Sequence, residues 1–424
     1  MTASLTQSQW FERACQVLPG GGFGNFDPEL FVREGRGSRV WDEDGREYVD
    51  LLIGSGPMLL GHGHPEVLEA VAEQLPRGMT FFANNAAGVT LAEAIAEAVP
   101  CGEQVRFVCS GGEADMYAIR AARAFTGRSR IVKFEGGCHG MSAEAQMSLA
   151  PSQLVNFPQP VPDSAGIPDS VAAEMLIAPF NDPDYIRSLL AEHGDQIAGL
   201  IVEPLQRIIP PAPGFLELLR AECDRYGIVL IFDEIVTGFR LAYGGAQEAY
   251  GVTPDLATLG KIIGGGFPLA AIAGRGEIMA HFDKAKVGSD RWLMQLGTLS
   301  GNPVAAVAGL KTMEVLRRPG QYEALRANGQ RLMQMAGAAL DAQDVAHHVI
   351  GDPTLFEIVF TEQPVRDYRD VAHSDGARAA RFNATLRDQG VFKSPGKTYP
   401  SLALTEADFD WMAEAYAKAA AAVA

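Results

Sequence analysis

Leu230-Ile231-Phe232-Asp233-Glu234 is an apolar run that ends abruptly in two acids. Nothing in it alternates, so neither side is suited to water, and the run from Val229 to Asp233 predicts a strand buried on both faces. Val105–Cys109, Ile131–Phe134 and Ala198–Glu203 have the same character. Between these runs, Glu113–Phe125, Tyr185–Glu192 and Phe215–Tyr226 carry the helical period. Short apolar strands alternating with amphipathic helices predict an α/β fold, a mostly parallel sheet covered by helices. Ligands of such sheets bind at the carboxyl ends of the strands.

Outward from that core the pattern changes. A helix is expected from about Ser8 to Val17, ending at Pro19-Gly20-Gly21-Gly22, and Arg39–Trp41 and Glu47–Leu52 predict a small hairpin turned by Asp42-Glu43-Asp44-Gly45. After Pro303, helices over Ala305–Leu316 and Tyr322–Leu340, a strand region at Thr354–Thr361 and an alanine-rich helix from Glu406 suggest a smaller α+β unit. The expected division is an N-terminal segment over 1–64, a large domain over 65–302 and a C-terminal domain over 303–424. The 424 residues are 47% hydrophobic and carry a formal charge of -17, which excludes disorder and disfavours nucleic acid or an anionic membrane as partner. Five cysteines without a CxxC pair, no export signal at the N-terminus and no long apolar span point to the cytoplasm.

Three places carry chemistry. Asp233 closes a buried strand, where a carboxylate needs a partner; taken alone it is equally a loop-organising or helix-capping acid. Lys261 ends Leu256-Ala257-Thr258-Leu259-Gly260-Lys261 and precedes Ile262-Ile263-Gly264-Gly265-Gly266. A lysine in apolar surroundings is a candidate Schiff-base nucleophile, against the plainer reading of a surface lysine beside a loop. Ser110-Gly111-Gly112-Glu113 opens a helix after a strand and offers backbone N–H groups to an anion, as any tight strand-to-helix turn could. Together they supply a phosphate cradle, an acid for a ring nitrogen and an aldehyde-capturing amine, the three handles of pyridoxal 5'-phosphate (PLP).

The sequence resembles the class III, fold-type I PLP aminotransferases, in particular their glutamate-1-semialdehyde aminomutase branch. The resemblance runs through Pro19-Gly20-Gly21, Trp41 to Gly45, Gly56-Pro57, Gly61-His62-Gly63-His64-Pro65, Ser110 to Ala114, Phe232 to Arg240, Gly251 to Leu256 and Gly297 to Pro303. It implies a seven-stranded large domain and a smaller α+β domain built from both chain ends. It also implies PLP held on Lys261, Asp233 on the pyridinium, Ile235 on one ring face, Cys138 and His139 beside the ring, and Glu203 in the cofactor site. Ser110, Gly111 and Gly112 would bind the phosphate, with Thr298 reaching that of a neighbouring subunit in a homodimer with shared sites. The partners are then a small-molecule amino donor and acceptor, with no metal.

Departures from the family pattern bear on substrate. Cys138 stands where an aromatic residue is usual, and Gly112 replaces a threonine, so one phosphate hydrogen bond is missing and weaker cofactor retention is expected. Gly22-Phe23-Gly24-Asn25-Phe26 lacks the mutase branch's carboxylate-binding arginine, and Leu205 to Pro210 and Lys393 to Tyr399 also differ from it. These differences favour an intermolecular transaminase over the alternative, a glutamate-1-semialdehyde aminomutase or other PLP-dependent isomerase or epimerase. Arg207, Arg36, Arg39 and Lys397 are the candidate receivers of a substrate carboxylate, although a solvated surface charge is the better reading of each taken alone. Gly390 to Thr398 misses the P-loop spacing by one residue, and His62-Gly63-His64 has no third metal ligand at a telling distance.

Overall fold

The computed structural model describes residues 5–24 and 27–424; Asn25 and Phe26, part of the departing segment above, lie outside them. The chain divides into two compact units, one of residues 66–322 with 363–373, the other of residues 1–65, 323–362 and 374–424.

The larger unit is built on a seven-stranded sheet ordered Gln104–Val108, Ala270–Gly274, Leu256–Leu259, Val229–Glu234, Ile197–Val202, Arg130–Phe134 and Met175–Ala178. Only Ala270–Gly274 runs antiparallel to its neighbours. The central strands Ile197–Val202 and Val229–Glu234 are buried at every position, as their unbroken apolar runs require. Gly111–Thr126 is helical because Ser110 caps its start in a capping box with Glu113 and Gly127, at φ +70°, ends it. Its buried stripe of Ala114, Ala118, Ala121 and Ala122 is small enough to lie close on the sheet's Ile131, Ile201 and Ile231. Each such isoleucine contributes roughly 1.5–3 kcal/mol by burial.

The helix Pro303–Leu316 was expected with the C-terminal domain and belongs instead to the larger unit. It packs on the helix Ala86–Ala98 and, through Gly309, where an added Cβ would lie 1.9 Å from the carbonyl oxygen of Ile263, on the turn after Lys261. The bare backbone of Gly309 permits that close approach.

The smaller unit joins both chain ends. Strands Val32–Arg36, Arg39–Asp42 and Glu47–Asp50 form a sheet that Val391–Phe392 extends in parallel. The helices Gln321–Asp341, Gly376–Asp388 and Glu406–Ala421 enclose a core containing Leu332, Phe382 and Tyr416. His62 is bonded to the buried carboxylate of Asp50 at 2.6 Å, which accounts for the histidine of the Gly61-His62-Gly63 turn. Among the described residues no helix is long and apolar enough to cross a membrane. All five cysteines are free thiols.

Candidate active site

Asp233 and Thr258 are register partners on adjacent parallel strands, followed by Glu234 and Leu259. Two residues beyond Leu259 stands Lys261, so acid and amine leave the sheet at the same carboxyl edge. Lys261 opens a single 3-10 turn, Lys261–Gly264, with φ at +48°. That left-handed conformation costs a non-glycine residue about 1–2 kcal/mol. Such strain concentrates at functional sites, where the surrounding structure enforces it. Here the enforcing structure is the helix backbone packed behind Ile263.

The two acids after Phe232 have different duties. Glu234 accepts hydrogen bonds from Thr237, from the backbone of Ala246 and from Gln247, and so organises the following loop. Asp233 is buried, its Oδ1 accepting from the N–H of Ile235 at 3.1 Å and its Oδ2 lying 2.7 Å from His139 Nδ1. The loop that carries His139 is fixed by several bonds. Glu203 accepts from the Cys138 N–H at 2.9 Å, Gln206 donates to the Glu135 carbonyl at 2.8 Å, and the Glu135 carboxylate receives both arms of Arg369 at 2.7 and 3.0 Å. A Cβ on Gly140 would lie 2.3 Å from Gly112 Cα, so the loop wedges against the start of helix Gly111–Thr126.

That helix start is the expected anion cradle. Gly111 and Gly112 occupy its first two positions, whose N–H groups have no intrahelical partner. The Ser110 hydroxyl accepts from Glu113 N–H, while the Glu113 carboxylate takes the N–H groups of Cys109 and Ser110. The glycine amides are therefore the N–H groups left open at this helix start, and Ser110 serves first as a cap. Ile235 lies between Gly111 and Gly260, where added Cβ atoms would come within 2.9 and 3.1 Å of it. Both glycines are needed for it to sit there.

Asp115 and Lys133 are buried ionisable groups at this edge that the sequence motifs do not mark. Asp115 accepts from Thr258 Oγ1 at 2.6 Å, and ligand atoms of Asp115, His139 and Asp233 all lie within 4.8 Å of one another. Burial, and then the charge of Asp233, push the Asp115 carboxyl well above the ordinary range. A signal was present: Asp115 falls on the same helical stripe as Ala118, Ile119 and Ala122, an acid in an apolar row. Lys133, wholly buried, donates to the carbonyls of Ala145 and Met147, and burial lowers its amine to about 8. It ties the loop after its own strand.

The predicted substrate-binding cations separate. Arg39 is committed to Asp408 at 2.8 Å and Glu47 at 2.7 Å, so its fork already holds two carboxylates of its own unit. Arg36 is exposed at the end of Val32–Arg36, and Lys397 closes a bridged turn with Ser394. Arg207 is exposed at the tip of a tight turn in which Gln206 and Ile209 exchange backbone bonds of 3.0 and 2.8 Å, with φ at +61°. Gln206 anchors that turn to the His139 loop. Thr298 lines a groove of about 360 Å³ with Thr80, Phe82 and Asn84, and no described bond joins it to Asp233 or His139.

An acid bonded to an imidazole, a strained lysine at the same sheet edge and a bare helix N-terminus suit PLP, and glycines stand where side chains would fill the space. Residues 24–420 match the family described as Aminotransferase class-III. This chain belongs to the class-III aminotransferases. It is a PLP-dependent enzyme with the fold-type I sheet expected of them. The glutamate-1-semialdehyde 2,1-aminomutase of Desulforamulus reducens is 41% identical, with 98% of each chain covered. An omega-transaminase from Sphaerobacter thermophilus is 36% identical at a TM-score of 0.93, covering 100% of this chain and 98% of that one. A beta-phenylalanine aminotransferase from Variovorax paradoxus is 33% identical at a TM-score of 0.85, covering 97% and 92%. The class-III family thus includes both transaminase and aminomutase relatives of this chain.

Proposed function

We propose that this class-III enzyme moves an amino group between a carboxylate-bearing primary amine and a keto or aldehyde acceptor, with PLP attached to Lys261. The observation that carries the reading is the shared strand edge of Asp233 and Lys261, with Lys261 held in a left-handed backbone conformation. PLP, when bound, supplies an aldehyde that captures amines and a ring that draws electrons from the neighbouring carbon. Lys261 Nζ would serve as the base that takes the proton from the carbon bearing the substrate amine and as the acid that gives it back. Asp233 holds the proton of the ring nitrogen, steadied by His139 and the Ile235 N–H. Ile235 and Cys138 would flank the ring, Gly111 and Gly112 would receive the phosphate, and Glu203 fixes Cys138.

Arg207 is the cation we assign to the substrate carboxylate. Its turn is anchored to the loop bearing His139, and it keeps a conformation that glycine would hold without strain. The named relatives, a mutase acting on glutamate-1-semialdehyde and an aminotransferase for beta-phenylalanine, favour a carboxylated substrate. A homodimer is supported by the exposed Phe81, Phe82 and Leu296, which line the groove that holds Thr298, and by Met79, Met294 and Leu299, exposed next to lining residues in the chain. Five free cysteines support a reducing compartment such as the cytoplasm.

The test is a half-reaction. Holoenzyme is mixed with excess α- or β-amino acid, and the cofactor's absorbance and the free carbonyl product are followed. Conversion with release of a carbonyl compound supports amino transfer; a rearranged amine with no release assigns the mutase instead. Lys261→Ala is expected to lose at least about 10²–10⁴ in rate, and turnover near the wild-type rate would end the assignment.

A further inference from the structure

Two carboxyl groups share the buried edge where one would suffice to hold a ring nitrogen. Asp115 comes from the helix Gly111–Thr126 and Asp233 from the strand Val229–Glu234, and an oxygen of each lies within 4.8 Å of the other in a site with almost no exposure; a hydrogen bond to Asp233 is among the causes that raise the Asp115 carboxyl. Two oxyanions so close in a site shut off from water repel each other, and a proton shared between them relieves that repulsion. The other neighbours decide which acid carries it. Asp233 is surrounded by donors, the N–H of Ile235 and His139 Nδ1, whereas Asp115 has a single hydroxyl donor, Thr258. The titratable groups facing Asp115 are Asp233, His139 and, through its charge, Cys138. None is a fixed cation.

We propose that Asp115 is a positioning residue, a protonated carboxyl whose O–H donates to Asp233 while its carbonyl oxygen accepts from Thr258. The inference rests on the assignment of Asp233 to the ring nitrogen. The donated hydrogen bond spreads the charge of Asp233 and so sets how tightly that acid keeps the ring proton. Asn at this position would reproduce the arrangement, its amide N–H donating to Asp233 and its oxygen accepting from Thr258. Leu would remove the donor.

The test begins without cofactor. Infrared difference spectra of the cofactor-free wild-type protein and Asp115→Asn at neutral pH are expected to show loss of the C=O stretch of a protonated carboxylic acid. A difference confined to carboxylate bands overturns the proposal, whatever becomes of the cofactor assignment. In the loaded enzyme, the pH titration of the bound cofactor's visible absorbance is expected to stay within about half a unit of wild type in Asp115→Asn. It should move by about one unit or more in Asp115→Leu. A displacement of about 1–3 units in Asp115→Asn would mean that a negative charge had been removed; an Asp115→Leu titration identical to wild type would mean that no donor had been. Either result rejects the proposal. Failure to bind PLP at all would undo the cofactor assignment and leave the infrared result standing.

Discussion

His139 Nδ1 meets Asp233 Oδ2 at 2.7 Å, although 94 residues separate them and both side chains are almost fully buried. The imidazole contributes one of the two described donors to a carboxylate that water cannot reach. His139→Phe fills the space and removes that donor. It is expected to cost about 1.5–3 kcal/mol of stability, because a charged acceptor is left short of a partner. Urea unfolding of the cofactor-free protein measures this, and an unchanged midpoint would show that the bond carries no weight.

Gly112 can be judged by adding one atom and then another. A Cβ there would approach Gly140 Cα to 3.3 Å, a tight but not forbidding contact. Gly112→Ala adds that contact alone, and Gly112→Ser adds a hydroxyl for the phosphate. Serine is expected to slow cofactor loss on dialysis by roughly 2- to 10-fold relative to alanine, the value of one hydrogen bond. Equal rates in the two variants would remove Gly112 from the phosphate site.

Arg207 holds φ at +61°, so glycine there relieves strain while deleting the guanidinium. Arg207→Gly should raise KM for carboxylated amines by roughly 10- to 150-fold, matching a charge-assisted bond of about 1.5–3 kcal/mol. Its kcat, its KM for amines lacking a carboxylate and its thermal midpoint should hold or improve. Steady-state kinetics on a matched pair of amines decides; an equal rise for both would assign Arg207 to the turn rather than to substrate.

Asp115 makes stability depend on pH in a definite direction. Burial and the Asp233 charge raise its carboxyl above 3.8, so the folded chain keeps a proton that the unfolded chain has lost. Stability from this position is therefore lost as pH rises above 3.8 toward the folded value. Asn, neutral throughout, escapes that loss. The stability of Asp115→Asn relative to wild type should be greater at about pH 7 than at about pH 4, measured by denaturant unfolding without cofactor. A difference that narrows or reverses with rising pH would show an ionised Asp115.

Much of this protein is written locally. The unbroken runs at Ile197–Val202 and Val229–Glu234 specify strands wet on neither face, and the Ser110 and Glu113 pair specifies where the next helix begins. Because parallel strands bind ligands at their carboxyl ends, the positions of Asp233 and Lys261 at the ends of such runs are what point to them as site residues. What tertiary structure alone decided is which distant groups meet there. His139 and Asp115 reach Asp233 through loop anchoring and helix-to-sheet packing, and Gly309 lets the helix Pro303–Leu316 press on the turn after Lys261 within the larger unit. Periodicity records whether each side chain faces solvent or core. It leaves no mark of the partner, which register and close packing choose.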